Sequence, residues 1–321
     1  MDKGMATELV DGVFLIDSGM VRIGLAACYL VRRGDLTAII ETGTRHSVPA
    51  IMSVLSQLEI RAEQVDYVIA THVHLDHAGG VGLLMQELPD AQLIIHPKGA
   101  RHMIDPTKLQ AGTTAVYGEA AFQEMYGDLI PVDESRIRIA EDGDEILLGG
   151  KPLKFLDTPG HANHHFCVWD EVSRGFFTGD TFGIAYRELV LEGQPFIFPT
   201  TTPVQFDPEA LKASIGKLIS MKPERMFLTH YGMVEKPEQL APQLLEQIDD
   251  YVALVMEIEK DMSDAEGLFE SIQTRLTEYT LERAIAHGCE RELAAETIAF
   301  DMGLNAQGLV VWSQRRSAAN Q

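Results

Sequence analysis

The amino-acid sequence predicts an α/β fold with a helical C-terminal extension. Short apolar runs that read as buried strands, such as Asp66-Tyr67-Val68-Ile69-Ala70 and Leu93-Ile94-Ile95, alternate with segments of helical spacing. After Pro237 apolar residues recur at helical spacing only. Directly behind one of the strand-like runs, Thr71 to Gly80 reads THVHLDHAGG, a turn opening into a helix.

Residues 7–41 alternate like a meander: Val13–Ile16, Leu25–Val31 and Leu36–Ile40, with turns at Gly12, Gly19 and Arg33-Gly34-Asp35. Glu41-Thr42-Gly43 ends the third strand. Between Ser47 and Leu58, residues Val48, Ile51, Met52 and Leu55 predict a helix. A second helix runs from about Gly80 to Leu88 and is closed by Pro89. His96 ends the next strand beside Pro97 and reads as a hydrogen-bonded neighbour, not a ligand. Residues 98–130 hold Met103, Tyr117, Phe122, Met125 and Tyr126, a helical insertion that either overhangs a pocket or packs its own core. Strands return at 137–139, 145–148, 153–156, 166–169 and 175–177. Residues 187–203 lack periodicity, and a long irregular loop of this kind is a candidate pocket wall.

Asp207-Pro208 opens a helix as N-cap and first-turn proline, with Leu211, Ile215, Leu218 and Ile219 on its apolar face. Met226 to Thr229 is a strand that delivers His230. Further on, Leu244, Ile248, Val252, Val255 and Ile258 predict a helix. Ser263 to Glu266 has capping-box form before another helix carrying Leu268, Ile272 and Leu276, and Gly288 and Gly303 punctuate two more. The expected division is 1–236 for the chemistry-bearing domain and 237–321 for the helical region, a candidate homodimer contact.

Composition narrows the function classes. No apolar run approaches the roughly 20 residues that cross a bilayer, and Met1-Asp2-Lys3-Gly4 lacks an apolar signal core, so no membrane role and a cytoplasmic location are expected. Three cysteines, Cys28, Cys167 and Cys289, form no CxxC pair and fit a reducing compartment. With 48 acidic against 26 basic residues, the net charge of −22 argues against a nucleic-acid partner and for a small-molecule substrate.

His72, His74, Asp76 and His77 fall within six positions. On an extended backbone His72 and His74 point to the same side. Imidazole nitrogen and carboxylate oxygen are the donors a borderline divalent ion takes, and a loop at a strand end can aim four of them inward. This run resembles the HxHxDH signature of the metallo-β-lactamase-fold hydrolases, including the glyoxalase II-like members. Thr158-Pro159-Gly160-His161 resembles the family's TPGH turn, Phe177-Thr178-Gly179-Asp180 its FTGD turn, and Leu228-Thr229-His230 its last strand-end histidine. The motifs occur in the family's order and span roughly Val10 to Gly232.

The resemblance implies a four-layer αββα sandwich. It also implies that His72, His74 and His161 hold one metal, that Asp76, His77 and His230 hold a second, and that Asp180 bridges them. The implied cofactors are two divalent ions, with zinc first and iron or manganese as alternatives. A bound cation lowers the pKa of water to about 7, which makes a nucleophile at neutral pH, and Asp76 is the catalytic residue that orients it. The expected reaction is hydrolysis of a small thioester, lactone, ester or lactam. The alternatives are an oxidoreductase similar to the mononuclear iron persulfide dioxygenases and a non-catalytic regulatory module. Candidates to support the ligands or face substrate are Glu41, where the family usually has an aspartate, His165, Phe196, Phe198 and Tyr231.

Overall fold

The computed structural model describes residues 6–201, 204–260 and 265–319. The N-terminal tetrapeptide, Thr202, and Ser263 and Asp264 of the expected capping box lie outside the described residues, as does the side chain of Tyr117. The chain divides into two compact units. The first runs to Asp157 and adds His164–Gly179 and Glu224–Met233, while the second comprises Thr158–Asn163, Asp180–Pro223 and the chain from Val234 onward.

The first unit contains a seven-stranded sheet in simple chain order. Its strands are β1 (Ala6–Val10), β2 (Val13–Asp17), β3 (Ala27–Arg33), β4 (Leu36–Ile40), β5 (Val65–Ile69), β6 (Gln92–Ile95) and β7 (Ile137–Ile139). The expected meander is β1 to β4, all antiparallel, and β4 to β7 are parallel. Parallel strands need crossovers, and α1 (Val48–Gln57) supplies the one between β4 and β5. The one-turn α2 (Leu75–Ala78) and α3 (Val81–Glu87) supply the next. Val48, Ile51, Val54 and Leu55 of α1 are buried in one core with Ile39, Val68 and Leu93.

The 98–130 insertion is helical, as expected: α4 (Pro97–Ile104), α5 (Thr107–Tyr117) and α6 (Glu119–Met125). Met103 joins the core beside Ile95 and Val73, and Phe122 is buried against Tyr126 with ring centroids 5.8 Å apart. These three side chains therefore pack inward.

A six-stranded sheet has the order β15-β14-β11-β10-β9-β8, counting β8 (Glu145–Leu148), β9 (Lys151–Asp157), β10 (Phe166–Asp170), β11 (Gly175–Gly179), β14 (Arg225–Leu228) and β15 (Gly232–Glu235). Tyr29 of β3 joins the two sheets. Its ring meets Phe177 of β11 and Phe227 of β14 edge-on, at 5.3 and 5.7 Å, and its hydroxyl donates to the Leu228 carbonyl. Interdigitated inner faces of this kind make a sandwich core. One buried ion pair crosses it, Arg33 Nη2 to Asp170 Oδ2 at 2.6 Å.

In the second unit, residues 187–201 are more ordered than their sequence suggests. β12 (Val190–Leu191) and β13 (Gln194–Pro195) form a short hairpin, and Ile184 bridges Phe198. The helices are α7 (Pro208–Ser220), α8 (Pro237–Ile258), α9 (Ala265–His287) and α10 (Arg291–Ala319). Asp207 caps α7 as expected, accepting from the Ala210 amide at 3.1 Å. Gly288 ends α9 with a φ of 109°. Gly303 does not end a helix, because α10 runs through it. A mid-helix glycine costs only about 1 kcal/mol relative to alanine, and the buried stripe Ala294, Ile298, Met302, Ala306 and Leu309 offsets that. Among the described residues, no helix is long and apolar enough to cross a membrane.

Breaking the Arg33–Asp170 pair tests the sandwich core. Arg33→Met leaves the Asp170 carboxylate buried without its cation and is expected to cost about 3–5 kcal/mol. Urea denaturation reads the loss; a wild-type midpoint contradicts the role assigned to this pair.

Candidate metal centre

The backbone stays extended beyond β5, and His74 still has φ −65° and ψ 149°. The rings of His72 and His74 therefore lie close, with centroids 4.4 Å apart. The chain then turns into α2, which carries Asp76 and His77 in a single turn. His77 swings beneath His72, the ring centroids 4.0 Å apart. From the end of β14, His230 Nε2 comes within 3.2 Å of Asp76 Oδ2, and His77 Nε2 lies 3.5 Å from the same oxygen.

Tetrahedral ligation at about 2.0–2.2 Å sets neighbouring donor atoms about 3.3–3.6 Å apart. The ligand atoms of Asp76, His77 and His230 all lie within 4.8 Å of one another. Nitrogen and carboxylate donors at these separations fit a borderline divalent cation.

Three of the rings are gripped at Nδ1, which turns Nε2 inward. His230 Nδ1 donates to the Leu25 carbonyl at 2.7 Å. His77 Nδ1 donates to Glu41 Oε1 at 3.0 Å. The Thr71 hydroxyl gives its proton to Glu41 Oε1 at 2.5 Å, so at 3.1 Å it accepts from His72 Nδ1. Fixing the tautomer through the far nitrogen is how metal-ligating histidines are oriented.

Glu41 is the common acceptor. Besides Thr71 and His77 it takes the Thr229 hydroxyl at 3.3 Å and the Thr71 amide at 3.3 Å. Its side chain is buried, and its φ of 64° is a conformation that non-glycine residues rarely adopt. Such strain persists where the surroundings over-determine it, and they do so here.

His165 lies behind His72, ring centroids 4.8 Å apart. Gly179 makes room for it: its φ is 48°, and a Cβ there would stand 2.5 Å from both His165 Nε2 and Thr71 Oγ1. His164 is parallel to His72 at 6.2 Å. Burial pushes its pKa down to about 3, with His74, His102 and His96 adding to the effect, so it is neutral at neutral pH.

Burial alone would raise the pKa of Asp76, but a quarter of its side chain is open to solvent. His77 and His230 prevail and hold the carboxyl well below the usual carboxylate range. Asp76 is therefore an anion across the neutral range.

In the second unit the TPGH turn is clamped onto α7. The Asp207 amide donates to the Gly160 carbonyl at 2.7 Å, and the Ser214 hydroxyl donates to the Pro159 carbonyl at 2.6 Å. Gly160, at φ 128°, meets the start of α7 so closely that a Cβ would lie 2.2 Å from the Leu211 nitrogen. The turn holds His161 buried, with Nε2 3.4 Å from Asp180 Oδ2.

Phe196 and Phe198 are buried in the second unit, 6.0 Å apart, packed on His287 and Tyr186 respectively. Tyr231 is buried, and its hydroxyl donates to Asp17 Oδ2 at 3.1 Å. His96 pairs with Asp157 at 3.0 Å, the neighbour role expected of it. Burial pushes the Cys28 thiol pKa up, as expected of an inert core cysteine. Sequence reasoning missed Thr71, Thr229, Asp17 and the Leu25 carbonyl. The two threonines each precede a candidate ligand, the one signal that marks them.

Comparison with known proteins identifies the fold. The sequence profile of the metallo-beta-lactamase superfamily matches residues 21–230, and the chain belongs to that superfamily. The metallo-beta-lactamase fold-containing protein ST1585 of Sulfurisphaera tokodaii is 29% identical over 241 residues, which cover 74% of this chain and 82% of that one. Its crystal structure superposes with a TM-score of 0.63 at 23% identity, covering 94% of this chain and 99% of that chain. The acyl-coenzyme A thioesterase MBLAC2 of Homo sapiens is 26% identical over 200 residues, covering 59% of this chain and 69% of its own. The fold is thus the mixed α/β metallo-beta-lactamase fold, with two sheets and a helical C-terminal part.

Removing the charge from the common acceptor tests the ligand cradle. Glu41→Gln is expected to weaken zinc binding on the order of 10–100-fold, read by competition with a chromophoric chelator. Wild-type affinity in this variant contradicts the orienting role of Glu41. Zinc must displace protons from the histidines, so affinity is also expected to fall as pH drops from neutrality into the acid range. Asp76, its pKa lowered, stays ionised through that range. Zinc titrations that stay flat between pH 7.5 and 5.5 contradict histidine ligation.

Proposed function

We propose that this member of the metallo-beta-lactamase superfamily is a dinuclear metal-dependent hydrolase of a small carbonyl ester-like substrate. His72, His74 and His161 would hold one divalent cation, Asp76, His77 and His230 would hold the other, and Asp180 would serve both. Zinc suits the nitrogen-rich donor set best. The observation that carries the reading is the convergence of Asp76, His77 and His230 at ligand spacing, with both imidazoles held through their far nitrogens.

When bound, the cations supply a water acidic enough to attack near neutral pH and a Lewis acid for the carbonyl oxygen. The chain's own residues do the rest. Asp76, ionised and partly open to solvent, accepts a hydrogen bond from the attacking water and sets its direction. Asp180 would place negative charge beside both cations and so offset their mutual repulsion. No serine or cysteine nucleophile is required, and the buried Cys28 and Cys167 thiols play no part.

Among carbonyl substrates a thioester is the first to test, because one relative bears the name of an acyl-coenzyme A thioesterase. Lactones, esters and lactams follow. A net charge of −22 favours a small molecule over a nucleic acid.

Asp180→Ala is expected to lower metal content from two ions per chain towards one. Hydrolysis of the best thioester or lactone is expected to fall on the order of 10²–10³-fold or more. Elemental analysis and steady-state kinetics read the two effects. Two retained ions with undiminished turnover contradict the bridging assignment.

A further inference from the structure

The helices after Pro237 carry no chemical motif, yet they hold the segment that follows Asp180. Asn305 of α10 is buried and makes three hydrogen bonds to that segment. Its Oδ1 accepts from the Thr201 amide at 2.7 Å, its Nδ2 donates to the Pro199 carbonyl at 3.0 Å, and its backbone carbonyl accepts from the Thr201 hydroxyl at 2.9 Å. One turn earlier, Asp301 Oδ1 accepts from the Tyr186 hydroxyl at 3.1 Å. From α8, Gln247 donates to the Ile197 carbonyl at 2.8 Å.

These contacts reach Asp180 through the backbone. Ile184 and Phe198 exchange amide-to-carbonyl bonds at 2.8 and 3.0 Å, and the Gly183 amide donates to the Asp180 carbonyl at 3.2 Å. The path thus runs from Asn305 to Pro199 and Thr201, across the Phe198–Ile184 bridge, to the turn that begins at Asp180. A surface loop would normally satisfy its backbone with water. Here buried side chains of a distant helix do so, and an asparagine with donor and acceptor both engaged permits one geometry.

We infer that Asn305 is a positioning residue through which α10 sets the place of Asp180. The inference rests on the reading of Asp180 as a metal ligand. The C-terminal helices are then a working part of the site and not an appended module.

The test uses the full-length chain with Asn305→Ala and the gentler Tyr186→Phe, which removes a single hydroxyl. Hydrogen exchange reads the tether and zinc titration reads its consequence. Asn305→Ala is expected to speed amide exchange in 184–201 about tenfold or more while peptides of α9 keep their protection. Zinc affinity is expected to fall on the order of 10–100-fold. Tyr186→Phe is expected to shift both readouts in the same direction by less, and it decides the matter if Asn305→Ala does not fold. Unchanged exchange and unchanged zinc affinity in a folded variant overturn the role of Asn305 alone. A wild-type chain that takes up no zinc overturns the reading of the site and this role with it.

Discussion

A single buried carboxylate, that of Glu41, organises the candidate centre. Taking an isolated carboxylate out of water costs several kcal/mol, and Glu41 is almost wholly enclosed. Four donors compensate it: the Thr71 hydroxyl and amide, His77 Nδ1 and the Thr229 hydroxyl. They come from three segments, each at or beside the end of a different element. β4 supplies the acceptor, the segment after β5 supplies Thr71, α2 supplies His77, and the end of β14 supplies Thr229. Satisfying one charge therefore fixes where three segments stop, and each segment carries a candidate ligand beside the residue that is bound.

The sandwich makes that convergence possible. Strand ends of β4 and β5, from one sheet, and of β14, from the other, must lie together before one glutamate can reach them all. Tyr29 ensures this by packing on Phe177 and Phe227 and donating to the Leu228 carbonyl, two residues before His230. Next to it, the Ala27 amide donates to the Thr229 carbonyl at 2.8 Å. The placing of the candidate ligands is thus set by strand registration and apolar packing, and the polar site inherits its rigidity from them.

Much of this was legible in the sequence. Apolar runs marked the strands of the two large sheets that lead to a candidate ligand, because each buries most of its apolar side chains, even where Lys154 interrupts the run in β9. Asp207-Pro208 announced α7 by local chemistry alone. Other features depend on tertiary partners. Gly303 signalled a break that packing overrode, and residues 187–203 read as irregular although, over 187–201, a short hairpin and buried side chains of α8 and α10 supply fixed partners. The phenylalanines of that segment, candidates to face substrate, are buried side chains of the second unit. Asn305 lies more than a hundred positions from Thr201, and no local pattern links them.

On the proposed reading Asp76, His77 and His230, gathered by Glu41 and the strand ends, grip a cation. Anomalous diffraction at the zinc edge, from crystals of protein purified without chelator and supplied with zinc, tests it most directly. A peak among Asp76 Oδ2, His77 Nε2 and His230 Nε2 is the expected result. Zinc-supplied crystals with no anomalous density there, or with zinc bound only at the protein surface, would contradict it.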